Sequence, residues 1–142
     1  IIASFQLIDP DLFPYQQAVP EIFIINTDGS EKIILGKYEN VFDSVGEWSP
    51  RENKALLSTF NRDNGIGYLY EINLDSSERT LLFEQEGASL SGTWSPDGKH
   101  ILVLAEDSDL WIIDSNGESI TRVTDNKEKY LELWASWQPA KP

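Results

Sequence analysis

Three tryptophans keep step along this chain. Trp48, Trp94 and Trp137 each stand two residues before a proline, at intervals of 46 and 43 residues. A second register advances with them, since Ile22-Phe23, Leu69-Tyr70 and Leu110-Trp111 each begin thirteen residues before Leu35, Leu82 and Val123. Self-similarity at such a period means that each repeat is one supersecondary unit, unable to bury its apolar surface except against its neighbours. A period of this length filled by short strands is that of β-propeller blades.

Within each period, short segments rich in Ile, Val, Leu, Tyr and Trp alternate with clusters of Gly, Asn, Asp, Ser and Pro, and no stretch carries helical periodicity. Four strands per unit are expected. Strand A ends at the tryptophan (43–48, 89–94, 131–137) and B follows (54–60, 100–105). C covers 22–26, 68–73 and 110–114, and D covers 32–35, 79–83 and 120–124. Asp28-Gly29, Asp97-Gly98 and Asn116-Gly117 supply the positive-φ residue of a tight turn. The proline after each tryptophan falls at a strand end, where its missing N–H costs no ladder bond.

The segment from Trp94 through Ser95, Pro96, Asp97, Gly98, Lys99 and His100, continued by Leu110-Trp111-Ile112-Ile113-Asp114, resembles the blade repeat of TolB-type β-propellers. The likeness recurs at 21–29 and, with Glu52 and Asn53 in place of the usual Gly-Lys, at 48–54. It implies an all-β fold of TolB-like blades, and it is shared by periplasmic TolB, peptidase propellers and sensors, so it suggests a periplasmic or extracellular setting without naming a function.

Residues 1–142 read as one half-propeller domain of three blades, in strand order BCD-ABCD-ABCD-A. Closed propellers typically hold about 4–8 blades, so the ring is expected to need more than this chain. The expectation is a homodimer of six blades, each copy giving its final A strand to the first blade of the other. The competing arrangement is closure within a longer chain.

With 24 acidic against 11 basic side chains, a net charge of −13 argues against a nucleic-acid partner. No apolar run approaches the ~18 residues of a membrane helix, so no membrane insertion is expected. The absence of cysteine and the single histidine remove disulfides, thiolate metal sites and most transition-metal centres, and no cofactor is expected. No G-x-S-x-G elbow occurs, and a serine triad would have to draw on His100 beside a turn. The expectation is a protein that is not an enzyme.

Candidate binding residues come from departures from the repeat. The first B-to-C connection, 9–20, is much longer than its counterparts; Pro10, Pro14 and Pro20 stiffen it and it carries Phe13 and Tyr15, as contacts for a partner or as packing on its own blade. Trp134 breaks the tryptophan phase, three residues before Trp137. Asp43, Glu47 and Glu132 fall on innermost strands and are candidates to line the channel, against the plainer reading as solubilising surface charge. The 61–65 turn and the acidic 106–109 segment lack the ligand spacing of a calcium loop. Three functions follow: a non-catalytic scaffold binding a protein or peptide, a small-ligand or glycan binder using the central funnel, and an accessory propeller from a peptidase.

Overall fold

The computed structural model describes residues 2–6, 20–37, 41–105, 109–125 and 135–139. These hold eleven strands: β1 (Ile2–Gln6), β2 (Pro20–Ile24), β3 (Ile33–Lys37), β4 (Val41–Trp48), β5 (Lys54–Asn61), β6 (Ile66–Asn73), β7 (Arg79–Glu86), β8 (Leu90–Trp94), β9 (His100–Ala105), β10 (Leu110–Asp114) and β11 (Ile120–Arg122). They form three antiparallel meanders, β1-β2-β3, β4-β5-β6-β7 and β8-β9-β10-β11. These are blades 1, 2 and 3, the first without an A strand among the described residues.

The blades stack through two apolar layers. Blade 1 meets blade 2 through Ile22 and Leu35 against Ala55, Leu57, Ile72 and Leu74, with Tyr70 packed alongside. Blade 2 meets blade 3 through Leu56, Leu69 and Leu82 against Trp94, Ile101, Val103 and Ile113, with Trp111 alongside. The period-2 alternation of each strand makes this possible, because Leu57 and Leu56 on successive positions of β5 serve opposite faces of one sheet. Glycine lets two blades approach: a Cβ on Gly92 would come within 3.0 Å of a Leu69 methyl.

Turn side chains set the strand ends. After Trp94 the Ser95 hydroxyl accepts from the backbone N–H of Lys99 (3.2 Å) and of His100 (2.9 Å) and donates to Asp97 Oδ1 (2.7 Å). β11 stops at Arg122, short of the expected 124, because the Thr124 hydroxyl takes the Leu110 N–H (2.9 Å) with its side chain. β2 stops before the expected Asn26, whose backbone carbonyl accepts from Gly29 N–H (3.0 Å) to close the turn. Of the expected final strand, 131–134 lie outside the described residues and 135–139 are not in a strand.

Candidate functional site

Phe13, Tyr15, Glu132 and Trp134 lie outside the described residues. So do 106–108 of the acidic segment. Its last residue, Asp109, is buried and engaged: its carboxylate receives the Arg122 guanidinium and the Thr124 hydroxyl (3.1 Å). The 61–65 turn is self-satisfied, with Asn61 Oδ1 accepting from Asp63 N–H (2.8 Å).

Asp43 lies on β4 opposite Thr59. Glu47 reaches from β4 to the neighbouring innermost strand, where its Oε2 accepts from Thr93 Oγ1 (2.7 Å) and Trp94 N–H (3.2 Å). It ties blade 2 to blade 3. His100 faces Asp114 across the β9-β10 ladder, with Nε2 3.5 Å from Oδ1 and the imidazole well exposed. Among the described residues no cluster of His, Asp and Glu is arranged to hold a metal ion.

The structure brings together a different set. A cleft of about 150 Å³ opens between blades 2 and 3 at the end that carries the A-to-B and C-to-D turns, lined by Ser49, Glu52, Lys54, Glu71, Trp94, Gly98, Ser115 and Asn116. Lys54 stands at the start of β5 and Glu71 on β6, both on the sheet face turned to blade 3. The Lys54 ammonium lies 2.5 Å from Glu52 Oε2 and 3.0 Å from Glu71 Oε1. Its hydrogen bond to Glu52 raises its pKa above the ordinary 10.5; desolvation opposes the rise and Glu71 adds to it.

Exposure falls from the mouth to the floor: the Glu52 side chain is exposed, that of Lys54 half-buried, and that of Glu71 only 10% exposed. On the floor two polar atoms are buried without a hydrogen-bond partner, Glu71 Oε2 and Trp94 Nε1. An unsatisfied buried group costs about 1–3 kcal/mol. The glutamate is particular to blade 2. In the repeat register Glu71 stands where blades 1 and 3 carry Ile24 and Ile112, and the in-phase Trp137 donates its indole N–H to the Thr93 carbonyl (3.0 Å). The isoleucines were the signal available in the sequence; the pairing with Lys54 and Trp94 needed the approach of two sheets.

The sequence matches no protein-family model. Among solved structures, TolB from Acinetobacter baumannii matches at a TM-score of 0.64 and 22% identity, over 88% of this chain and 30% of that one. The fold is that of TolB-type propeller blades. A putative TolB from Agrobacterium tumefaciens gives a TM-score of 0.59 at 22% identity over 75% of this chain and 38% of its own. An oligogalacturonate lyase in complex with manganese gives 0.62 at 14% identity over 89% and 34%. The chain thus spans about a third of the structures it resembles. The same blades occur in TolB proteins and in a lyase, so the fold leaves the chemistry open.

Proposed function

We propose that the chain is a non-catalytic TolB-type propeller scaffold that associates blade to blade with a second copy and binds a protein or peptide, with Phe13 and Tyr15 of the 9–20 segment as contacts. One observation carries the assembly. Leu35 and Leu82, the apolar D-strand residues of blades 1 and 2, are 7% and 6% exposed because each packs on the following blade, whereas their counterpart Val123 in blade 3 is 51% exposed. Leu102 and Leu110 share this face and are only half-buried.

The opposite end of the stack is complementary. Tyr70 and Trp111 each pack on the preceding blade; in blade 1 their counterpart Phe23 is 6% exposed under the Lys32 ammonium, and the exposed apolar side chain on this face is Ile34 opposite it, at 48%. A trailing face of one copy against the leading face of another repeats the contact already made twice within the chain. Made reciprocally, it closes a ring of six blades with twofold symmetry.

Light scattering of the Val123→Arg variant tests the reading. The arginine leaves the packing within the chain untouched and places a charge in the proposed seam, so the variant is expected to keep its circular dichroism and fall to the mass of one chain. A variant of unchanged mass would refute this interface. A peptide selected on the assembled protein should be lost on Phe13→Ala with Tyr15→Ala; undiminished binding would remove that segment from the reading.

A further inference from the structure

We infer that the cleft between blades 2 and 3 is a binding site for a small neutral polyol or monosaccharide, held on its floor by a hydroxyl that donates to Glu71 Oε2 and accepts from Trp94 Nε1. Both atoms belong to residues that line the cleft, both are buried, and neither has a hydrogen-bond partner. One is an obligatory acceptor and the other an obligatory donor. A hydroxyl group can answer both needs, donating to the one and accepting from the other. An ammonium group has no lone pair for the indole N–H, and a carboxylate or phosphate has no proton for Glu71.

The rest of the cleft suits the same class. Ser49 Oγ accepts weakly from the backbone N–H of Arg51 and Glu52, both at 3.3 Å, which leaves its own proton to donate. Ser115 contributes a second hydroxyl, and Glu52 and Lys54 at the mouth can accept from and donate to further hydroxyls. Two carboxylates against one ammonium make the cleft unfavourable to anions. The volume, about 150 Å³, is roughly ten times the ~10–15 Å³ that lodges one water. Trp94 is packed in the apolar layer between the blades, so its ring is no open stacking platform.

Glu71 is where the repeat is broken to make this site, since an isoleucine there satisfies the fold in blades 1 and 3. The cleft lies within one chain and does not depend on association with a second copy. Its test uses the indole N–H resonance of Trp94, assigned by Trp94→Phe, while the intact protein is titrated with glucose, galactose, ribose and glycerol, with methylammonium and acetate as controls.

At least one neutral polyol should shift that resonance saturably, and Glu71→Ile should weaken the response about tenfold or more, the loss of one hydrogen bond to a charged group. Glu71→Ile restores the residue of the other blades, so its fold is expected to persist; Glu71→Gln provides a second variant of the same shape, with the response also weakened. The proposal is overturned if no polyol moves the Trp94 signal, which leaves solvent alone in the cleft. A response to methylammonium alone, or one undiminished in both Glu71 variants, overturns it equally.

Discussion

Glu71 and Lys54 form an asymmetric pair. Glu71 is nearly buried and holds one carboxylate oxygen on Lys54 at 3.0 Å, whereas Lys54 is half-buried and has Glu52 as a second partner at 2.5 Å. Removing the lysine strands a buried charge, while removing the glutamate relieves one. Lys54→Met is therefore expected to destabilise by about 1–3 kcal/mol, and Glu71→Ile to be neutral or stabilising, as measured by urea unfolding. Equal destabilisation by both variants would contradict the account. Asp97 provides the test by pH. Its carboxylate is held below the ordinary 3.8 first by the Ser95 hydroxyl and then by the Lys99 N–H. A depressed carboxylate pKa contributes stability above its unfolded value and loses it as pH falls through the folded value. Asp97→Asn should melt lower than the parent at neutral pH, and the gap should close below pH 3.8; a gap that persists in acid would assign the effect to something other than this charge.

At the scale of strands, the repeat was legible because its signals are local. Trp-Ser-Pro marks the end of β4 and of β8, and Asp97-Gly98 and Asn116-Gly117 place turns where β8 meets β9 and β10 meets β11. Strand limits were less legible, because side chains such as Thr124 and Asn26 replace backbone partners at the ends. The bonds from Thr93 and Trp94 to Glu47 were not legible either, because they join the innermost strands of two sheets. The cleft was illegible for the same reason, since its walls come from two sheets. Leu35, Leu82 and Val123 turn the repeat into an energetic prediction. Leu82→Ala and Leu35→Ala should each cost about 2–5 kcal/mol, whereas Val123→Ala in a dissociated chain should stay within about 0.5 kcal/mol. Unfolding midpoints at high dilution decide this, and a large loss at Val123 would mean that residues of its own chain cover it.

For the whole molecule, blade 2 buries a face on each of its neighbours, and among the described residues the outer sides of the stack carry exposed Ile34 on blade 1 and, on blade 3, half-buried Leu102 and Leu110 beside exposed Val123. In the proposed assembly the contact between described blades is the template for a contact between copies, and stability and association should then be coupled through the same leucine-rich surfaces. Sedimentation velocity of the unmodified chain across a dilution series measures this directly. A species of twice the chain mass that dissociates on dilution is expected, with the melting temperature falling alongside. A folded, monodisperse monomer at micromolar concentration, with a melting temperature independent of dilution, would contradict it.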